Sequence, residues 1–192
     1  MAKVGLKYPV FAPINTEERG KPIVYKPGVV FGKAINANVT WTRNSSKLFA
    51  DDAEAEAENS ITGGSINFTV DQVSDEGREA AFGYVVNDSD GNREYEITGD
   101  ATPYGGFGYI EVERFRGEDR YRGMWIHKLQ FAMQEMSAET KGETVVWKPE
   151  AVSGTVMAVY NDDSGKQKFV AVYESNNEAA VTAWLKSKAG IA

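Results

Sequence analysis

Apolar and polar residues alternate in three long runs of this chain, at 106–116, 120–133 and 142–160. Alternation predicts strands, because successive side chains point to opposite faces. The runs are two to three times the usual ~5–6 residues. A turn at 117–119 separates the first pair, and a polar break at 134–141 the second. In the second run Tyr121, Gly123, Trp125, His127, Leu129, Phe131 and Met133 share one largely apolar face, and the other mixes Arg122, Lys128 and Gln130 with Met124 and Ile126. In the third, Val145, Trp147, Ala151, Met157 and Val159 alternate with Val146, Val152 and Val156, while Pro149 and Gly154 predict a bend or bulge. Two partly apolar faces need two coverings. The chain's own core supplies one, and a second subunit is a natural supplier of the other. Long strands also have long edges, and an uncovered edge templates pairing with another chain.

The flanking pattern fills in the rest. Pro9 and Pro13 make residues 3–14 an extended arm or edge strand. A short strand at 23–26 precedes the Pro27-Gly28 turn, and 29–43 reads as a strand with Val39 and Trp41 on one side. Asn44-Ser45-Ser46 reads as a turn from which 47–50 returns. Residues 51–59 alternate Glu and Ala after two Asp, which is no core pattern: a solvated loop, a frayed helix or a charged ribbon fits. Residues 61–70 form a strand with a bulge expected at Gly63-Gly64. Ser74 caps a helix reaching about Val85, with Phe82 and Val85 as anchors. A turn at 88–91 leads to a short strand at 93–98. After the long runs come a turn at 162–165, a strand at 166–173 and a capping box from Ser175 to Glu178. The helix at 178–189 carries Val181, Trp184, Leu185 and Lys188 at helical spacing and stops at Gly190. The expectation is one mainly β domain over 1–192, with two short helices and seven to nine strands. Residues 1–28 are an N-terminal arm and loop, 44–60 a projecting loop or hairpin, and 175–190 a C-terminal helix.

Composition narrows the function. The 21 basic and 28 acidic residues give a net charge of −7, which argues against binding nucleic acid by neutralising phosphates. It leaves room for a surface that DNA passes without sticking. With no cysteine and one histidine, disulfides, thiol chemistry and a multi-histidine metal site within one subunit are excluded. The first fourteen residues lack a signal-peptide run and no segment reaches ~18 apolar residues, so a soluble cytoplasmic protein without membrane insertion is expected.

Candidate chemistry is thin. His127 lies among bulky apolar residues with no nucleophile motif beside it, which suits a structural or interface histidine. The 87–92 segment lacks carboxylates at the first and twelfth positions of a calcium loop. Gly105-Gly106-Phe107-Gly108 opens a strand rather than a helix, so it is no phosphate cradle but a strand start or bulge. Glu111 and Glu113 share one strand face and are expected to meet solvent or a neighbouring subunit. The acidic residues Asp51, Asp52, Glu54, Glu56 and Glu58 form the candidate assembly element, projecting to meet or repel another macromolecule.

Several segments together carry a resemblance: residues 2–10, Asp51-Asp52, Val73-Ser74-Asp75-Glu76, the 102–109 stretch, 140–144 leading into Ser153-Gly154-Thr155, and Ala183-Trp184-Leu185. In this order the chain resembles the major tail (tail tube) protein family of long-tailed bacteriophages and prophages. The resemblance implies a β-sandwich subunit flanked by a helix, its inner sheet completed by neighbouring subunits. Such subunits form hexameric rings that stack into a hollow tube in the virion tail. They assemble in the host cytoplasm with a tape measure protein and other tail proteins at the tube ends. DNA passes through without specific binding, and no catalytic residue, cofactor or metal is expected. Glu111 and Glu113 become lumen candidates, and the acidic tract an inter-ring element. The alternatives are a tube protein of a contractile injection or secretion particle, and a small β-sandwich binding module or hydrolase.

Overall fold

The computed structural model describes residues 2–50, 53–89, 92–133, 148–160 and 164–191, and their side chains except those of 46–50 and 53–58. The protein is mainly β with two helices, and every strand pairing is antiparallel. The principal sheet is built along β9 (Glu118–Phe131). One edge of β9 pairs along its length with β8 (Tyr104–Phe115), which pairs in turn with β1 (Ala2–Thr16). The other edge is shared. Its first half pairs with β11 (Val170–Ser175), and its last residues with β10 (Glu150–Val156). Beyond β10 lie β5 (Ala53–Val70) and then β4 (Ala34–Ala50). Short strands β2 (Val24–Tyr25) and β3 (Val29–Val30) pair with β1. A separate hairpin joins β6 (Val85–Ser89) to β7 (Asn92–Glu96).

Sharing the edge of β9 turns the sheet over on itself, so that β5 packs on β8 although the two are not ladder neighbours. Phe68 meets Phe107 edge to face at 4.9 Å, and Phe31 stacks on Phe131 at 5.3 Å. Phe11 and Phe82 complete a fully enclosed aromatic cluster with Ile66, Val70 and Leu129. Each aromatic pair adds about 0.5–1.5 kcal/mol beyond the burial of its area. On the opposite side of β8 and β9, α2 (Glu178–Ala189) lays Val181, Leu185 and Ala189 against Ile110 and Trp125. The glycines of β8 make both packings possible. A Cβ on Gly105 would stand 2.2 Å from the Phe11 ring, and one on Gly108 2.5 Å from Leu185. The glycine-rich run therefore lets side chains close on the backbone from two faces, and a register shift between Gly105 and Phe107 adds a bulge there.

Several sequence expectations are corrected. The helix α1 (Asp75–Phe82) is capped by Ser74 as expected, but Gly83, left-handed at φ 71°, ends it. Val85 is therefore no helical anchor; it is exposed at the start of β6. Asn177, not Ser175, caps α2, its side chain accepting from the Ala179 amide at 2.9 Å. Asn44-Ser45-Ser46 is no turn: β4 runs straight through it. Gly154 lies in regular register between Ile66 and Phe131, with no bulge. The tight turn after β8 is Arg116-Gly117, both left-handed, with Phe115 opposite Glu118. Of the two alternatives for the N-terminal segment, extended arm or edge strand, residues 2–16 take the strand, paired along β8 with Val10, Phe11 and Ala12 fully buried. The 134–141 break, Val145, Val146 and Trp147 lie outside the described residues, as do the centres of the turns at 88–91 and 162–165.

Candidate assembly surface

The β4–β5 hairpin outgrows the sheet that supports it. β10 pairs with β5 only as far as Gly64, opposite Val156. From there outward, residues 42–50 and 53–63 pair with each other alone among the described residues. At ~3.3 Å per residue this ribbon extends roughly 30 Å. A bulge marks its root: Thr42 pairs with Gly63 and Arg43 with Ile61, leaving Thr62 unopposed, beside the expected Gly63-Gly64 position. A bulge bends a strand and sharpens its twist. Thr42, Arg43, Asn44, Ser45, Asn59, Ile61 and Thr62 are all exposed, so neither face of this described part of the ribbon rests on a core. An isolated two-stranded hairpin is marginal in water. Glu54 and Glu56 stand on its backbone opposite Phe49 and Leu48, and Glu58 opposite Ser46. Asp51 and Asp52, and the side chains of the three glutamates, lie outside the described residues.

Among the described residues the outer edge of β4 carries no ladder partner over 17 positions, and β11 pairs on one side only. Ile35 on β4 and Val172 on β11 are both about half exposed. These are the open margins that the long alternating runs led us to expect, but they fall on other strands: β8 and β9 are paired along both sides over most of their length.

Glu111 and Glu113 do not meet solvent; their residues are 6% and 7% exposed. Lys3 donates to Glu111 at 2.7 Å, and Arg122 lies 3.3 Å from Glu113. Arg122 also reaches Glu174 on β11 at 2.6 Å, as does Arg120. Lysine, glutamate, arginine and glutamate thus succeed one another across β1, β8, β9 and β11. Cross-strand neighbours of opposite sign each add about 0.2–1 kcal/mol, and a buried carboxylate needs such a partner.

His127 lines a hollow of about 370 Å³ between β2, β9 and the end of α2, with Trp125 at its base and Ser187 and Lys188 on its wall. The residue is 8% exposed. Burial, then the charges of Lys188 and Lys168, push the imidazole down to about 4. The Tyr25 hydroxyl donates to the His127 carbonyl at 2.8 Å, and burial pushes that phenol up to about 12. The His127 ring nitrogens make no hydrogen bond among the described residues. A larger open groove of about 670 Å³ runs beside α1, lined by Ile14, Tyr104, Glu17, Glu76 and Glu79.

Among the described residues no cluster of three acidic or histidine side chains could hold a metal ion, and no helix is long and apolar enough to cross a membrane. No protein-family model and no curated protein matches the chain.

Proposed function

We propose that this chain is a tail tube subunit, a structural and non-enzymatic protein similar to the major tail proteins of long-tailed bacteriophages. On this reading it builds stacked hexameric rings around a DNA conduit in the virion tail, and meets the tape measure and tube-end proteins there. One observation carries the proposal beyond the resemblance: about half of the β4–β5 hairpin pairs with no third strand among the described residues. A ribbon of ~30 Å held only by its own ladder gains stability by lying on another molecule. The open edge of β4 supports the same reading, since pairing across subunits removes exposed ladder groups. The packing of β5 over β8 fits a β-sandwich whose sheet is completed by neighbours. The net charge of −7 suits a wall that repels DNA within a Debye length of ~8–10 Å. Glu111 and Glu113 drop out as sources of that repulsion, because Lys3 and Arg122 already neutralise them.

Negative-stain microscopy of the concentrated protein, or of the particle that carries it, tests the proposal. Rings or tubes are expected from the intact chain. Deleting residues 52–58 leaves a folded subunit by circular dichroism that no longer elongates. Normal tubes from the deletion would remove the hairpin from assembly. An intact chain that forms no rings under either condition would overturn the tube reading.

A further inference from the structure

We propose that the open groove beside α1 is a docking site for a basic, extended segment of another protein. The inference does not depend on the tube reading, because the groove shares no residue with the hairpin or the open strand edges that support it.

The floor of the groove is apolar and held in shape. Pro13, Pro27 and Pro103 line it with Ile14, Val29 and Tyr104, around a volume of about 670 Å³. Pockets that hold a ligand span ~300–1,000 Å³. Proline has no N–H, so these walls bring few donors that need a partner. Tyr104 is about half exposed. The Lys26 amide donates to the Pro13 carbonyl and the Gly28 amide to the Ala189 carbonyl, each at 2.8 Å. On the α1 side, the Ser74 hydroxyl donates to the Val30 carbonyl at 2.6 Å and Arg78 reaches Glu150 at 2.7 Å. A groove fixed in advance loses little freedom on binding.

Charge decides the occupant. Three carboxylates, Glu17, Glu76 and Glu79, line the groove against one lysine, Lys26. Glu17 is already engaged by Lys128. Glu76 and Glu79 are exposed, and their side chains have no partner among the described residues. Asp75 on the same helix shows the contrast, held by both Arg78 and Arg93. Residues three apart on a helix carry their Cβ atoms ~5–6 Å apart. Alternate residues of an extended segment lie ~6.6 Å apart on one face, so two arginines at that spacing match the two glutamates. The intervening apolar side chains then lie on the floor while the long arginines reach the rim. The same carboxylates repel phosphates, which makes nucleic acid a poor occupant. Five of the chain's eight arginines already face carboxylates of their own protomer, so the complementary charge comes from a different protein.

The test is a calorimetric titration of the intact protein with a capped hexapeptide alternating leucine and arginine. A second peptide carries glutamate in place of arginine, and a third serine in place of leucine. The first is expected to bind saturably, the second not at all, and the third more weakly than the first. Glu76→Gln/Glu79→Gln should weaken the first at least about tenfold, the loss expected for one charged hydrogen bond. Asp100→Asn/Glu118→Gln removes the same charge from exposed positions outside the groove and should leave binding unchanged. No binding, an equal loss with the control pair, or equal affinity for the serine peptide would overturn the site. Sedimentation velocity of the chain alone should not differ between the Glu76→Gln/Glu79→Gln protein and the unmodified one. If the variant loses self-association instead, a second copy fills the groove, presenting its exposed Phe115 and Arg116, and the foreign partner is overturned. Rings or tubes in the microscope bear on the tube reading alone, so the two readings fail separately. If the glutamate variant does not fold, the three peptides on the unmodified protein still decide.

Discussion

The strands β4 and β5 live in two environments. At their inner end Ile66, Phe68 and Val70 are fully enclosed against β8 and β9. At their outer end every described residue from 42 to 45, and nearly every one from 59 to 62, is exposed. The ladder hydrogen bonds run through both halves, so backbone pairing alone does not separate them. Burial does. One half of the hairpin belongs to the fold, and the other to whatever the fold meets. Removing contacts from the inner half should unfold the subunit; removing them from the outer half should spare folding and change association.

The largest effect belongs to the aromatic cluster. Phe107 is fully buried and touches Phe31, Phe68, Tyr109 and Phe131. Phe107→Ala should cost about 3–5 kcal/mol in urea unfolding, because the surrounding rings cannot collapse into the space. A loss under ~1 kcal/mol would mean that the two layers are not held by this cluster.

A comparable effect is expected from acid at His127. The His127 imidazole is pushed from 6.5 down to about 4, chiefly by burial and then by Lys188 and Lys168. Above pH 6.5 the ring is neutral in both states and contributes no pH dependence. As pH falls towards 4 the unfolded chain takes up the proton and the folded one does not, so stability falls. Below about 4 both states are protonated and the loss is complete, at no more than about 3 kcal/mol. Carboxylates titrate in the same window, so the measurement is the difference between the protein and its His127→Gln variant, which should lack this component. Equal slopes in the two would contradict a buried neutral ring.

The β8–β9 and β4–β5 hairpins also show why the sequence was legible in some places and not in others. The mainly β class and both helices could be read from alternation, the Ser74 cap and the period of Val181 and Leu185, because each feature faces a core on one side. The buried ion pairs of β8 and β9 were within reach but missed. A turn placed at 117–119 instead of Arg116-Gly117 spoils the register, and a slip of one residue moves a side chain to the other face. With the tight turn in place, Glu111 falls opposite Arg122 and Glu113 opposite Arg120. The arm was expected to project over 44–60, but its continuous strand was illegible for another reason. Asn44-Ser45-Ser46 reads as a turn because polar clusters usually sit where chains reverse, yet a ribbon wet on both faces selects no alternation at all. His127 carried no motif; its hollow exists only because β2 and the end of α2 converge on β9.

The Arg116-Gly117 turn yields a smaller effect of opposite sign. Left-handed backbone at both central positions favours Asn-Gly or Gly-Gly, and Arg116 holds φ 52° against its own Cβ. Arg116→Asn should stabilise by about 0.5–1 kcal/mol, less what the Arg116 contact over the Phe115 ring contributes. An unchanged unfolding midpoint would mean that the two terms cancel.

The smallest effect on folding is the sharpest test of the opening comparison. Ile61 and Ile66 are the same residue type on the same strand, 38% and 0% exposed. Ile66→Ala should cost about 2–5 kcal/mol, since it opens a cavity among Phe68, Phe107 and their neighbours. Ile61→Ala should cost less than about 0.5 kcal/mol in the isolated subunit, as surface substitutions do. If the outer ribbon packs on another copy, Ile61→Ala should still weaken assembly, seen as a higher protein concentration needed for sedimenting material. A folding cost at Ile61 approaching that at Ile66 would mean that the arm folds back onto its own protomer in solution. The contrast between the two halves would then fail, and with it the need for a partner.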